Sequence, residues 1–281
     1  MKARKILSVI VALAMIMGTM SFTTFAADTD DNVIEVGIGK AYETWSSAVN
    51  AAVDNDGDRV ITYHIYGKVE VDSANVWASP RGTSDATTIN FVGKTDDAEI
   101  SITASKQIIA TDGVSDMVAI NYTDLILSRP NGSWTDDLAH ANQFFTTWMR
   151  GATNGVVTYT NCTFLNGTCA NTYNETVYTD CNFKNETSNA LWIMGGDVEV
   201  AGGTVEAAKG IKTYNDNPAT KINAEISDVT FDVELTPAII TSAIGNVIIA
   251  EIDTTACEYG AVENGVAVVT LNNVTPGRYD A

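Results

Sequence analysis

One short segment recurs along this chain with its residue types in a fixed order. Residues 122–127 read YTDLIL, 159–164 read YTNCTF and 178–183 read YTDCNF. Residues 226–231 (ISDVTF) keep the last half of the pattern, and 202–205 (GGTV) echo it more weakly. Tyr159 and Tyr178 lie 19 positions apart, and Asp180 and Asp228 lie 48 apart, about two more units of similar length. A period near 20 residues is at the short end of repeat architectures. In these, a single unit cannot bury its own apolar side, but a stack of units can.

The unit has a simple physical reading. Gly, Asn, Asp and Thr punctuate brief β-branched runs, the composition of strands and tight turns. Within residues 159–164, Cys162 and Phe164 share one parity and are expected to point inward, with Tyr159, Asn161 and Thr163 taking the other. Asn or Asp at the third position tolerates the left-handed bend that turns one strand into the next. Stacking at about 4.8 Å then sets Cys162 beside Cys181 and Phe164 beside Phe183. A sandwich of antiparallel hairpins also suits short strands, but it explains near-identical units less well. Stacked inward cysteines act as small apolar residues, so Cys162 and Cys181 are expected to be free and buried.

Ahead of the repeats, residues 32–36 alternate like a short strand, and residues 42–53 carry an apolar stripe at helical spacing. Thr44 is the expected N-cap, with Trp45, Ala48, Val49 and Ala52 on one face. The acidic turn at 54–58 (DNDGD) stops the helix. This helix, the run VITYHIYGKVEV at 60–71 and the units ending in Asn-Cys-x-Phe resemble the right-handed parallel β-helix superfamily of pectate lyases and surface adhesins. The resemblance is one of architecture and spans roughly residues 33–250. It implies an all-β, right-handed parallel β-helix (solenoid) whose N-terminal helix covers the open end of the stack. The expected organisation is a leader at 1–26, a strand and capping helix at 27–58 and the parallel stack at 59–250. Terminal coils or a hairpin would follow at 251–281, with the end at Ala281 open to being a truncation.

Compartment follows from the first residues. Lys2, Arg4 and Lys5 precede an apolar run at 6–17 and a small-residue end at Thr24, Phe25 and Ala26, the order a signal peptidase reads. The run is too short for a membrane span, which needs about 20 apolar residues. Export without membrane insertion is therefore expected. Loss of those three cations takes the net charge from −19 to −22. Such a surface repels nucleic acid and anionic lipid, and favours a soluble monomer.

The most unusual segment is residues 128–155, SRPNGSWTDDLAHANQFFTTWMRGATNG. It separates Tyr122 from Tyr159 by 37 positions, nearly twice the later spacing, so one repeat carries an excursion. Trp134, Phe144, Phe145 and Trp148 gather there with His140 and Arg150. Aromatic rings beside hydrogen-bonding groups suit sugars, whose C–H faces stack while their hydroxyls need polar partners. The plainer reading is that the aromatics fold the excursion back onto the flank of the stack.

Catalytic residues are not legible. β-Helix lyases, by resemblance, use carboxylates to hold calcium and an Arg or Lys as base. Asp180 and Asp197 with Arg150, Lys209 and Lys212 are the nearest equivalents, and they form no compact motif. The hydrolase branch's Gly-His-Gly and Arg-x-Lys are missing beside Asp136 and Asp137. Residues 54–58 imitate the start of an EF-hand, but its twelfth position is Ile65 instead of Glu. No cofactor is expected, and calcium stays an open option. The function expected is a secreted or cell-surface module that binds an extracellular glycan or a surface partner without catalysis. A polysaccharide lyase or hydrolase, or a structural spacer of a larger surface protein, are the alternatives.

Overall fold

The computed structural model describes residues 32–53, 60–71, 88–103, 111–112, 118–129, 144–145, 147, 149–150, 155–166, 168–171, 174–186, 190–193, 196–207, 211–213, 222–233, 239–241, 251–252 and 269–274. Residues 1–26, expected to be a leader, and residues 54–58, expected to stop the helix, lie outside these residues.

Short strands return again and again to the same sheets. A first sheet begins with Asn32–Val36, Val60–Ile65, Thr88–Gly93, Ala119–Thr123, Val156–Thr160, Glu175–Thr179, Gly196–Ala201 and Ile222–Ser227, each parallel to the one before. A second, all-parallel sheet holds Lys68–Val71, Glu99–Ile102, Ile126–Ser128, Thr163–Leu165, Asn182–Asn185, Thr204–Ala207 and Thr230–Val233. A third holds Phe144–Phe145, Thr168–Asn171, Leu191–Ile193, Ile211–Thr213 and Ile239–Thr241, again parallel. Parallel strands cannot be joined by hairpins, so the antiparallel sandwich does not describe these residues. Among the described residues, antiparallel pairing enters only where Val269–Val274 lies against Ile222–Ser227 and receives Glu251–Ile252.

In-register stacking puts like residues beside like. Tyr63, Phe91, Tyr122, Tyr159 and Tyr178 occupy one register position of the first sheet. Their rings stack at 5.0, 4.9, 4.8 and 5.0 Å between centroids, which is the spacing of the strands themselves. Phe164 and Phe183 stack likewise at 5.0 Å, and Phe164 meets Tyr159 edge-on at 5.2 Å. All seven rings are buried. Buried tyrosines need partners for their hydroxyls. Thr147, itself buried, lies 2.6 Å from the Tyr122 hydroxyl and accepts from Tyr159 at 3.1 Å. Burial drives the Tyr63 phenol well above its ordinary 10.

Here the parity expected for Tyr159 fails. Tyr159 points inward together with Cys162 and Phe164, because Asn161 sits at φ +52° between them. A left-handed residue turns the chain instead of continuing the pleat, so the alternation restarts after it. Asp124, Asp180 and Asp228 do the same at φ +55°, +51° and +55°. Cys162 and Cys181 are free and buried. The Cys181 thiol donates to the Tyr159 carbonyl at 3.4 Å, and its hydrogen bond with Cys162, together with burial, holds the Cys162 thiol far above its usual range.

The helix forms at Trp45–Val53. Thr44 caps it: its hydroxyl accepts the Ser47 N–H at 3.2 Å and its carbonyl the Ala48 N–H at 3.1 Å. Trp45, Ala48, Val49 and Ala52 are buried, and the Trp45 ring stacks on Phe91 at 5.7 Å, placing the helix at the start of the aromatic column.

Candidate functional site

The chain passes from the first sheet to the second at a corner, and corner length shapes the surface there. Two residues suffice six times: Tyr66 and Gly67, Asp124 and Leu125, Asn161 and Cys162, Asp180 and Cys181, Gly202 and Gly203, Asp228 and Val229. Between Gly93 and Glu99 the corner takes five residues, 94–98. The extra length forms an exposed, anchored loop. Thr95 Oγ1 accepts the Gly67 N–H at 2.9 Å, the Lys94 N–H reaches the Ile65 carbonyl at 2.9 Å, and the Ala98 N–H closes onto the Thr95 carbonyl at 3.0 Å.

Beside this loop runs an open trough of about 440 Å³, lined by Gly93, Lys94, Thr95 and Asp96 on one side and by Asp124, Leu125, Ile126, Asn161 and Thr163 on the other. Asn161 Nδ2 donates to Asp124 Oδ1 at 2.7 Å, tying the two corner side chains together. Gly93 is needed here: a Cβ would stand 1.9 Å from the Asp124 carbonyl oxygen. Behind the loop, burial and the nearby Lys94 ammonium push the half-buried His64 imidazole below its ordinary 6.5, against the opposing pull of Glu35. Reasoning from the repeats missed this trough. Its signal was the segment GKTDDAE, which separates two apolar runs by more than the two residues found at the Tyr-Thr-Asp and Tyr-Thr-Asn corners.

One outward column of the first sheet also carries polar groups. Asn90 donates to Thr62 at 3.1 Å, Asn121 to Asn90 at 2.9 Å and Thr158 to Asn121 at 2.6 Å, a continuous hydrogen-bonded ladder. The same register position continues through Val177 to Glu199 and Glu225. The Glu199 carboxyl is raised above its ordinary 4.5 by burial first, then by Glu225 and Glu175.

The residues expected to form a glycan site are only partly placed. Trp134, His140 and Trp148, with Asp136 and Asp137, lie outside the described residues. Phe144 and Phe145 form a strand of the third sheet, in register with Thr168 and Cys169. Arg150 sits with Met149 in a separate parallel pair against Thr111 and Asp112, so it does not share a ladder with the two phenylalanines. At the root of the excursion, Ser128 donates to Glu99 at 2.5 Å and to Ser101 at 3.0 Å, and Arg129 is buried, with its guanidinium lowered to about 10 by that burial.

The acids and bases of the lyase expectation are dispersed. Asp180 stands at an exposed corner, Asp197 on the first sheet and Lys212 on the third. Lys209 lies outside the described residues, and among those described no group of three or more His, Cys, Asp and Glu side chains could hold a metal ion. Comparison with known proteins returned no matching family model, no matching curated protein and no matching solved structure.

Proposed function

We propose that the chain is an exported, monomeric module, built as a right-handed parallel β-helix with a capping helix, that binds an extracellular glycan or a cell-surface partner without catalysing a reaction. Three sheets of mostly parallel strands, with rings stacked along the first two, support the β-helix reading. The basic, apolar and small-residue order at 1–26 supports export.

The observation that carries the binding reading is the interruption of an otherwise regular stack. Val156–Thr160 pairs with Ala119–Thr123 in unbroken register although 37 positions separate Tyr122 from Tyr159, against 19 between the next two tyrosines. The first sheet therefore keeps its register across the extra residues, of which only Phe144–Phe145 join the third sheet and Met149–Arg150 a separate pair among the described residues. Long insertions on a rigid scaffold are where binding groups concentrate, and this one carries Trp134 and Trp148. Those indoles offer apolar faces to sugar rings, while His140 and Arg150 offer hydrogen bonds to hydroxyls.

A glycan array probed with the chain lacking residues 1–26 tests this. Hits that weaken by about tenfold or more in Trp134→Ala and Trp148→Ala support it. Hits unchanged in both variants, or none at all, overturn it. Release of ultraviolet-absorbing unsaturated products from polyuronates with calcium would instead make the chain a lyase.

A further inference from the structure

We propose that the trough beside residues 94–98 is a second binding site, taking a neutral, hydroxyl-rich saccharide chain. The inference stands apart from the excursion at 128–155 and does not depend on it. Its starting point is that the fold does not need the long corner. Six other passages between the same two sheets are made with two residues, and the flanking strands Thr88–Gly93 and Glu99–Ile102 pair with both neighbours in full register. Three surplus residues are nevertheless held in place, through the Gly67 N–H on Thr95 Oγ1 and the turn bond from Ala98 to Thr95. Ordering surplus residues costs backbone entropy, although the other corners close without them.

What the loop adds is a wall. The trough's roughly 440 Å³ falls inside the ~300–1,000 Å³ range of small-ligand clefts. Its lining residues supply both donors and acceptors, through Lys94, Thr95, Asn161, Thr163, Asp96 and Asp124, together with the apolar Leu125 and Ile126. The bond from Asn161 to Asp124 consumes one amide donor and orients both groups. Each keeps a further oxygen to accept from a pair of adjacent hydroxyls.

Charge chooses among hydroxyl-bearing ligands. The lining holds one cationic residue, Lys94, against two carboxylates, Asp96 and Asp124; Asp97 adds a third on the same loop, and the whole chain carries −19. A polyuronate or other polyanion would be repelled, and a neutral saccharide would not. The trough is open to solvent instead of enclosed, which suits part of a longer saccharide chain as well as a single sugar.

The test titrates the full chain, isotope-labelled, with maltopentaose, cellopentaose and mannopentaose, followed by amide chemical shifts and by calorimetry. At least one should bind, with shifts at residues 93–96, 124–126 and 161–163. Asp124→Gly with Asn161→Gly removes both side chains at positions whose φ of +55° and +52° glycine adopts without strain. This double variant should bind about tenfold or more weakly. Where it fails to fold by circular dichroism, Lys94→Ala with Thr163→Val decides in the same way. Binding at wild-type strength in a folded variant, silence from all three saccharides, or binding of polygalacturonate in their place overturns the site. Shifts confined to 128–155 overturn it too, while leaving the excursion reading in force.

Discussion

The near and far halves of the first sheet share one ladder and are filled differently. From Val60–Ile65 to Glu175–Thr179 the inward column is aromatic, and the outward column beside it begins with Thr62, Asn90, Asn121 and Thr158. Beyond that, the inward position passes to Val200 and Ile226 and the outward one to Glu199 and Glu225. Parallel, in-register pairing sets each residue against its own kind, so what matters is how well a side chain complements itself. Rings stack and amides both donate and accept, which rewards repetition. Carboxylates only accept, so repeating them is penalised.

The sharpest way to break this comparison is at the middle of the aromatic column. Tyr159 lies between Tyr122 at 4.8 Å and Tyr178 at 5.0 Å, with Phe164 edge-on at 5.2 Å. Tyr159→Ala should cost about 3–5 kcal/mol in urea unfolding, clearly more than Val200→Ala in the far half. Equal costs would show that ring stacking adds nothing beyond size. Next comes the corner where the far half lacks an Asp or Asn. Gly203 has φ +84°, and a Cβ on it would stand 1.9 Å from the Cys181 carbonyl oxygen. Gly203→Ala should therefore destabilise by about 3 kcal/mol, against little change for Asn161→Gly in the same assay.

Smaller effects sharpen the outward column. Asn121→Ala removes the bonds to Asn90 and Thr158 and should cost about 1 kcal/mol. Glu199→Gln should do the opposite and stabilise by about 0.5 kcal/mol at neutral pH, since it relieves the neighbouring Glu225. The sign also sets a pH dependence. Glu199 is raised in the folded chain, so the fold holds that proton more tightly than the unfolded chain does. Stability should rise as pH falls through the region just above 4.5, and that slope should flatten in Glu199→Gln. An unchanged slope of the urea midpoint against pH would assign it to other groups.

Much of the stacking was legible in the sequence because it depends on spacing. The 19 positions between Tyr159 and Tyr178 are enough to put Phe164 on Phe183 in a parallel ladder. Side-chain direction across the corner was not legible. Period-two alternation holds only within a strand, and the left-handed Asn161 resets it, so Tyr159 was assigned to the wrong side. The trough escaped notice for a related reason. A repeat search rewards what recurs, and residues 94–98 are where recurrence fails. In the excursion, composition pointed to aromatics but carried no pairing information, and Phe144 and Arg150 joined different sheets.

The uniform corners make whole repeats interchangeable. Tyr122, Tyr159 and Tyr178 hold equivalent places, flanked by corners Asp124, Asn161 and Asp180 of nearly the same φ. Excising residues 156–174 would bring Tyr122 against Tyr178 with no register to repair. The three sheets can thus gain or lose one strand each at a time, and gene duplication in frame has a ready-made route to a longer ladder with the same register.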